Sequence, residues 1–432
     1  MKKIVKMPAL LLTFISIFTA ACTTVQVSAA PAPTSTQCPA TIESARCYRG
    51  QDENGAFYWI AIPQNWNQKL VVHAHGGPRR NAPQLDDSKA DLERFSIMVR
   101  RGYAWIGSTY RRGGYGVRMA AADTDNSRQI FWNVFGKPQL TILHGQSWGG
   151  NVAAKASELY ALAIDGSNNY DGVLLTNGVL GGGTSAYQFR ADLRAVYQYY
   201  CHNMPLPNEL QYPVWQGLPK DSPLTNRELR NRLNQCTGIE LPTSQRSATQ
   251  QSNLRNILSV TGIQESHIDN HLAWATFLFQ DLVQLRLGGL NPFDNSQKVY
   301  VGSDDDAALN AGVERFSADS RATALLAYDA DLSGLIVLPT ISIHAINDPT
   351  ANFAMEADYA RTVAAAGRAD LLLQIATNET IHERLSDTEY ASVLDALDDW
   401  ISSKTKPSAN SVATKCESLI PSVSGGCYIR NN

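Results

Sequence analysis

Residues 139–150 read Gln139-Leu140-Thr141-Ile142-Leu143-His144-Gly145-Gln146-Ser147-Trp148-Gly149-Gly150. Leu140–Leu143 form a short, mostly apolar run that is typical of a buried strand, and residues 151–159 favour a helix. Between these two elements, glycines stand two residues before and two residues after Ser147. They let the backbone bend sharply and keep side chains away from the hydroxyl. The pattern predicts a serine held at the edge of a sheet, in a geometry suited to attack on a carbonyl carbon.

Short apolar runs alternate with segments of helical spacing on both sides of this stretch. The predicted core begins with an antiparallel pair of strands that turns at Asn54-Gly55. The predicted strands are Arg46–Asp52, Ala56–Pro63, Lys69–His75, Tyr103–Tyr110, Leu140–Leu143, Asp171–Thr176, Leu335–Ile346 and Leu371–Ile375. The predicted helices of the alternating part are Ser88–Arg101, Asp123–Phe135, Asn151–Leu159, Ala354–Ala366 and Asp387–Ser402. This order predicts an α/β fold with a mostly parallel sheet and helices on both faces.

The alternation stops between residues 181 and 333, where the pattern is helical and rich in loops. We therefore expect a helical cap inserted into the α/β core. The predicted core has a first part at 46–180 and a second part at 334–404. A Pro/Thr/Ser-rich linker at 30–45 precedes it, and a disulfide-stapled C-terminal tail at 405–432 follows it.

The N-terminus has the pattern of an export signal. Three lysines within the first six residues precede Ala9–Ala20, an apolar stretch too short to span a bilayer comfortably. Two processing sites compete. Val27-Ser28-Ala29 fits ordinary cleavage of a signal peptide at 1–29, whereas Thr19-Ala20-Ala21-Cys22 resembles a bacterial lipobox with a signal at 1–21. Either site predicts an exported protein, which would be periplasmic, extracellular or an outer-membrane lipoprotein. The only predicted membrane contact is a lipid on Cys22.

Composition narrows the classes of partner. A formal net charge of −3, with 18% charged residues, gives no basic stripe for nucleic acid.

Without Cys22, six cysteines remain, and they allow 15 pairings. Proximity in the sequence favours Cys38–Cys47, Cys201–Cys236 and Cys416–Cys427. No cysteine pair has the spacing of a metal or redox motif, so we expect neither cofactor nor metal. The oligomeric state stays open.

A nucleophilic serine needs a base and an acid that orients the base. Among eight histidines, His382 alone follows the last predicted strand and precedes the last helix. Asp348 follows the preceding strand in the run Ile346-Asn347-Asp348-Pro349, where the proline stops further strand pairing. Because the carboxyl ends of parallel strands share one edge, both side chains are predicted to lie near Ser147. Glu379 is an alternative orienting acid.

The chain resembles the α/β-hydrolase superfamily over about residues 46–402, apart from the cap. Four motifs carry the resemblance: His75-Gly76-Gly77-Pro78, the Ser147 turn, the Asp348 loop and the His382 loop. The resemblance implies catalytic roles for Ser147, Asp348 and His382. It also implies an oxyanion hole formed by the backbone N–H groups of Trp148 and Gly76.

Two other polar patterns are weaker. His267 and His271 stand one helical turn apart, but they lack the glutamate of a zinc-protease motif, so a polar helix face is the favoured interpretation. Asp304-Asp305-Asp306 lacks the spacing of an EF-hand loop and favours the acidic start of a helix at 307–316.

These residues predict an exported serine hydrolase that cleaves small-molecule or oligomeric carboxylic esters. The cap would select an apolar or aromatic group. Its aromatic residues, which could also form the core of the cap itself, are Tyr197, Tyr199, Tyr200, Trp215, Trp274, Phe277 and Phe279. One alternative is a serine peptidase or amidase on the same fold, and another is a non-catalytic binding module.

Overall fold

The computed structural model describes residues 32–430. The predicted signal peptide, its two processing sites and Cys22 lie outside the described residues. Within 32–430, nine strands form one sheet. They are β1 (Thr34–Thr36), β2 (Arg46–Gln51), β3 (Phe57–Ile62), β4 (Lys69–Ala74), β5 (Ala104–Ser108), β6 (Leu140–Gln146), β7 (Gly172–Thr176), β8 (Thr340–Ala345) and β9 (Leu372–Thr377).

The strands follow the order β1-β2-β3-β5-β4-β6-β7-β8-β9. The pairs β1–β2, β2–β3 and β3–β5 are antiparallel, and the remaining neighbours are parallel. In the parallel register, Leu70 of β4 lies opposite Thr141 of β6. Since β4, β6, β8 and β9 run in the same direction, the segments that follow them converge at one edge of the sheet.

Helices join the strands and cover the sheet. They are α1 (Leu85–Arg94), α2 (Ser96–Arg100), α3 (Val117–Phe135), α4 (Trp148–Tyr160), α5 (Gln188–Cys201), α6 (Asn226–Thr237), α7 (Ala248–Thr261), α8 (Ile268–Ala273), α9 (Asp306–Gly312), α10 (Ser320–Ala330), α11 (Ala354–Ala365), α12 (Asp387–Ser403) and α13 (Ala409–Leu419). Helix α8 continues through two π-helical segments, Trp274–Leu278 and Gln280–Arg286. Between β7 and β8, the described part of the chain contains helices and no strand.

Both faces of the sheet are buried. Along β4, Leu70 and Val72 pack into a cluster with α3 and α4, while Val71 between them packs into a second cluster with α1 and α12. Alternate side chains of a strand point to opposite faces, so each face acquires its own core. A strand buried on both faces carries a continuous apolar run. This is why β3 has the sequence Phe-Tyr-Trp-Ile-Ala-Ile.

Several predicted boundaries were wrong. The helix predicted at Ser88–Arg101 is divided into α1 and α2 at Phe95, whose backbone leaves the helical region. Helix α3 begins at Val117, directly after Gly116, and not at Asp123. The strand predicted at Leu335–Ile346 is shorter, because only Thr340–Ala345 pairs with its neighbours.

The two ends of the described chain are more ordered than predicted. Residues 30–45 were predicted as a linker, but Thr34–Thr36 adds an edge strand to β2. The predicted tail contains α13, which buries Val412 and Ala413 against α12, and Ile429 bridges to Thr377. Both segments are rich in Ser, Thr and Pro and have a weak apolar period, so the sequence pattern gave no sign of this structure.

Three disulfides join Cys38–Cys47, Cys201–Cys236 and Cys416–Cys427, which confirms the pairing predicted from proximity. The first fixes the entry to β2, the second lies within the cap, and the third holds the end of the chain to α13. None of the helices within residues 32–430 has the length and apolar character needed to cross a bilayer.

Candidate active site

Ser147 sits on a sharp turn between β6 and α4. Its backbone has φ 59° and ψ −128°, a conformation that L-residues rarely adopt. The turn is held because the Ser147 N–H donates to the Thr176 carbonyl of β7, 3.0 Å away, and the Ser147 carbonyl accepts from Val179 N at 2.9 Å. The surrounding hydrogen bonds therefore hold the strained serine in place.

The glycines of this turn are required by space. A side chain on Gly145 would collide with the carbonyl oxygen of Gly149, and one on Gly149 would collide with the carbonyl oxygen of Ala74. The start of α4 can therefore lie directly against β4 and β6. This close contact places the serine at the carboxyl edge of the sheet.

The structure brings the three predicted residues together. His382 Nε2 lies 2.6 Å from Ser147 Oγ, and His382 Nδ1 lies 2.8 Å from Asp348 Oδ2. All three residues are less than a tenth exposed. The imidazole contacts Asp348 and not Glu379, so of the two acids considered, Asp348 is the one in position to orient it.

Two polar residues fix the His382 loop and were not predicted. The carbonyl of His382 accepts from Gln146 Nε2 at 2.8 Å and from Asn177 Nδ2 at 3.0 Å. Gln146 directly precedes the serine, and Asn177 follows β7. In the sequence, the only feature that could have indicated this role for either residue is the position of its amide side chain at the carboxyl end of a strand.

Asp348 is held as a carboxylate. Its Oδ1 accepts from the backbone N–H groups of Thr350 at 2.7 Å and Ala351 at 2.8 Å, leaving Oδ2 for His382. Burial alone would raise the pKa of Asp348, but hydrogen bonds from His344 and His382 outweigh it and hold the pKa well below its usual range. The group is therefore ionised at neutral pH.

His344 of β8 is a second histidine beside this carboxylate. Its Nδ1 lies 3.0 Å from Glu356 Oε1, and its Nε2 lies 3.1 Å from the Ala351 carbonyl and 3.5 Å from Asp348 Oδ2. Burial lowers the pKa of His344, but the hydrogen bonds to Asp348 and Glu356 outweigh it and raise the pKa to about 9. Both ring nitrogens face acceptors, so the ring is a buried imidazolium between two carboxylates.

We expect this imidazolium to make the stability of the fold depend on pH. A folded-state pKa of about 9, above the ordinary 6.5, contributes stability that is complete below pH 6.5 and is lost as pH rises through 9. The loss should approach about 3 kcal/mol. Urea unfolding of the wild type at pH 6.5 and 9.5 measures it.

The His344→Asn variant is the control for this expectation. It should be less stable at pH 6.5 and should lose much less stability between the two pH values. Equal losses in the variant and the wild type would assign the dependence to other groups.

The loop after β4 meets the serine from the other side. A Cβ on Gly76 would lie 2.6 Å from Gln146 Oε1 and 3.5 Å from Ser147 Cβ, so the Gly76 backbone passes directly over the turn. Trp148 is the first residue of α4, and the N–H of a first helical residue has no acceptor within its helix. The structure therefore brings both predicted oxyanion residues beside Ser147. Their role stays a prediction.

His75 anchors this loop. Its Nδ1 lies 2.6 Å from Asp91 Oδ2 of α1, and its carbonyl accepts from the Tyr110 hydroxyl at 2.9 Å. The imidazole is buried, and its ring nitrogen contacts Asp91 of α1. The contacts indicate that His75 positions the Gly76–Gly77 turn.

The cap touches the acid loop through a buried arginine. Arg190 of α5 donates through Nη2 to the Thr350 carbonyl at 2.7 Å and through Nε to His271 Nδ1 at 3.3 Å. Asn270 donates to Thr350 Oγ1 at 2.8 Å. The cap is therefore hydrogen-bonded to the residue whose N–H holds Asp348.

The polar helix face predicted for His267 and His271 was wrong for His271. His271 is buried edge-on against Phe189 at 5.2 Å, and burial, assisted by Arg190, lowers its pKa to about 2. Asp305 caps α9 by accepting from Ala308 N at 2.9 Å. Across residues 32–430, no three His, Cys, Asp or Glu side chains are grouped so that they could hold a metal ion.

A cavity of about 310 Å³ lies between the Gly77 turn and the cap. Its lining residues are Gly77, Pro78, Arg79, Arg80, Asn226, Asn270, Ala273, Trp274, Phe277 and Leu278. Two of the cap aromatics considered from the sequence thus face this cavity. Tyr197 and Phe279 are instead fully buried in the core of the cap.

The strand order and the strand–Ser147–helix turn define this chain as an α/β-hydrolase fold with an additional N-terminal edge strand. The mostly parallel sheet predicted from the sequence is confirmed. No protein-family model matches the chain.

One curated relative is the o-phthalyl amidase of Xanthobacter agilis, 25% identical over 122 residues. The match covers 27% of this chain and 25% of the amidase, so this chain spans about a quarter of that relative's length. Among solved structures, feruloyl esterase B from Aspergillus oryzae has a TM-score of 0.49 at 12% identity, covering 88% of this chain and 86% of the esterase. Lipase A of Candida antarctica has a TM-score of 0.47 at 12% identity, covering 90% of each chain.

Proposed function

We propose that this chain is an exported serine hydrolase that cleaves carboxylic esters through an acyl-enzyme on Ser147. One observation carries the proposal. Ser147 Oγ, His382 and Asp348 are joined by hydrogen bonds of 2.6 and 2.8 Å at the carboxyl edge of the sheet. A hydroxyl in contact with an oriented imidazole is the arrangement that acyl transfer requires.

The reaction begins when Ser147 Oγ attacks the ester carbonyl carbon and its proton passes to His382 Nε2. The Nδ1–H of His382 donates a hydrogen bond to the Asp348 carboxylate, which fixes the tautomer of the imidazole and stabilises the imidazolium that forms. The tetrahedral intermediate then expels the alcohol, which takes the proton from His382, and leaves Ser147 acylated. Water next attacks the acyl-enzyme with His382 as base, releasing the acid and restoring the serine.

The developing oxyanion would receive hydrogen bonds from the N–H groups of Trp148 and Gly76. The N–H of Trp148 stands at the start of α4, where the helix dipole also favours negative charge. The close approach of Gly76 to Ser147 supports its part in the same site. Such donors stabilise charge that appears only in the transition state.

The cap would select the substrate. Trp274 and Phe277 give the cavity beside the Gly77 turn an aromatic wall, which suits an apolar or aromatic group. A cavity of about 310 Å³ is at the lower end of small-molecule sites, so the group it takes is small.

Amide hydrolysis is the second candidate. The 122-residue similarity to an enzyme named o-phthalyl amidase favours it, and the same triad would serve both reactions. A non-catalytic binding module is a weaker alternative, because it would not need an aligned serine, imidazole and carboxylate.

Export is the other part of the proposal. Three disulfides are compatible with an oxidising compartment outside the cytoplasm. The basic and apolar pattern of residues 1–29 supports an export signal, and a lipid on Cys22 would hold the mature chain at a membrane.

A fluorophosphonate probe tests the serine mechanism. We expect the folded protein to take up one equivalent of probe, with the adduct mapped to the peptide that contains Ser147. Matched aryl esters and anilides of the same acid should then show faster turnover of the ester. Folded protein that resists the probe would contradict the serine mechanism, and faster anilide turnover would assign the chain as an amidase.

A further inference from the structure

The cavity beside the Gly77 turn lies next to both halves of the candidate active site. On one side, Gly77 adjoins Gly76, whose backbone passes over Ser147. On the other side, Asn270 bonds to Thr350, whose N–H donates to Asp348. The cavity therefore lies close to the candidate active site, although Ser147, Asp348 and His382 are not among its lining residues.

The lining of the cavity carries positive charge without negative charge. Arg79 and Arg80 are among its lining residues, and none of the lining residues is acidic. Arg79 is already paired, with Nη1 3.2 Å from Asp87 Oδ1 and Nη2 3.9 Å from Asp91 Oδ1. Arg80 is different.

Arg80 forms no ion pair with any residue of the described range 32–430. Its guanidinium carbon lies 4.7 Å from the centre of the Phe277 ring. The nearest acidic influence is Asp281, which pairs with Arg286 at 2.9 Å and accepts from Tyr115 N at 2.6 Å. Partial burial lowers the pKa of the Arg80 guanidinium, but the residue as a whole is exposed, so a carboxylate from outside the chain can reach it.

A second cation stands behind the aromatic wall. The Arg190 guanidinium is fully buried, lies 5.2 Å from the Trp274 ring centre, and has no salt bridge among the described residues. Burial lowers the pKa of Arg190 to about 10, which still leaves it charged at neutral pH. The cavity thus combines an aromatic wall, one unpaired arginine at its lining and one buried arginine behind it.

We infer that this cavity binds a carboxylate carried by the substrate, so that the enzyme prefers esters or amides of an aromatic or short apolar acid with a second, ionised carboxyl group. The guanidinium of Arg80 would bind that carboxylate, and Trp274 and Phe277 would pack against the ring or chain that carries it. The inference rests on the proposed function, since it names the substrate class of the same site.

Two pairs of substrates test the inference and show which side of the ester carries the charge. The acyl-side pair is the 4-nitrophenyl ester of 4-carboxybenzoate and that of 4-carbamoylbenzoate. The leaving-group pair is 4-carboxyphenyl acetate and 4-carbamoylphenyl acetate. The para position keeps the carboxylate from attacking its own ester. We expect the wild type to show at least tenfold higher kcat/KM for the charged member of the acyl-side pair. A preference confined to the leaving-group pair would overturn the assignment of the carboxylate to the acid.

Charge variants show whether the preference comes from a direct contact with Arg80 or from the overall positive charge of the protein surface. Arg80→Gln should bring the charged-to-neutral ratio of kcat/KM close to one, whereas Arg80→Lys should keep part of the preference. The matched control is Arg321→Gln, which removes the same charge from an exposed position on α10 and should keep the wild-type ratio. Raising the salt concentration should lower the wild-type ratio, since salt screens a partly exposed pair.

The outcomes are distinguishable. Turnover of the neutral esters without any preference for the charged ones would overturn the carboxylate site and leave the serine hydrolase intact. An equal decrease in kcat/KM for the charged and the neutral member of a pair in Arg80→Gln would also overturn the carboxylate site. Absence of turnover for all four esters, together with no probe labelling, would instead contradict the proposed function.

Discussion

Replacing Ser147 with alanine is expected to lower kcat for ester hydrolysis by about 10⁵- to 10⁶-fold. The Ser147 hydroxyl lies 2.6 Å from His382 Nε2, so its removal eliminates both the nucleophile and the proton that the imidazole accepts. The measurement is single-turnover hydrolysis of an activated aryl ester with the purified variant. Labelling by a fluorophosphonate should disappear together with turnover.

The same variant should remain folded. A single hydrogen bond contributes about 1 kcal/mol, and the turn itself is held by the Ser147 backbone contacts to Thr176 and Val179. A thermal midpoint within a few degrees of the wild type is expected. Ser157→Ala is the matched control, because Ser157 is a buried serine on α4 that donates only to the Ala154 carbonyl at 2.9 Å. Loss of less than a hundredfold in Ser147→Ala would assign the nucleophile to another residue.

The sheet was predictable because its signal is repeated along the chain. Strands buried on both faces carry runs of apolar residues, and the runs at Lys69–Ala74 and Leu140–Gln146 stand out from the helices between them. The boundaries were less predictable. Helix α3 starts six residues earlier than predicted, because Gly116 ends the preceding loop and the first turn already buries Val117 and Ala120, which the apolar period does not mark.

The candidate site was predictable where a residue stands just after a strand. Ser147, Asp348 and His382 all have this position, and the glycine turns mark the two sides of the predicted oxyanion hole. The supporting groups have no such signal. His344 lies inside β8, where a histidine in an apolar run is compatible with ordinary burial, and its partner Glu356 lies on α11.

The cap was predictable as a helical insertion but not in its contacts. His271 was assigned to a polar face because it follows His267 by one helical turn. The structure buries it instead, since α5 packs against α8 and places Phe189 and Arg190 on its ring. Contacts between segments about 80 residues apart leave no local periodicity to detect, so the sequence alone cannot assign them.

Replacing Asp348 with asparagine is expected to lower kcat by about 10⁴-fold. Oδ1 of the residue accepts from the N–H groups of Thr350 and Ala351, so the oxygen of the new amide would keep those two bonds. Its NH₂ group would then face His382 Nδ1 and donate to it. The imidazole proton is then placed on Nε2, and a protonated Nε2 cannot accept the proton of the Ser147 hydroxyl.

The matched control is Glu379→Gln, which removes an acidic group from the loop that carries His382. Because the imidazole contacts Asp348 and not Glu379, kcat should stay within about twofold of the wild type. Rates are normalised to the fraction of folded protein, since Asp348→Asn also removes one carboxylate beside the His344 imidazolium and should lower stability. A large loss in Glu379→Gln with a small loss in Asp348→Asn would move the orienting role to Glu379, and the hydrogen bond of 2.8 Å from His382 to Asp348 would then be structural rather than catalytic.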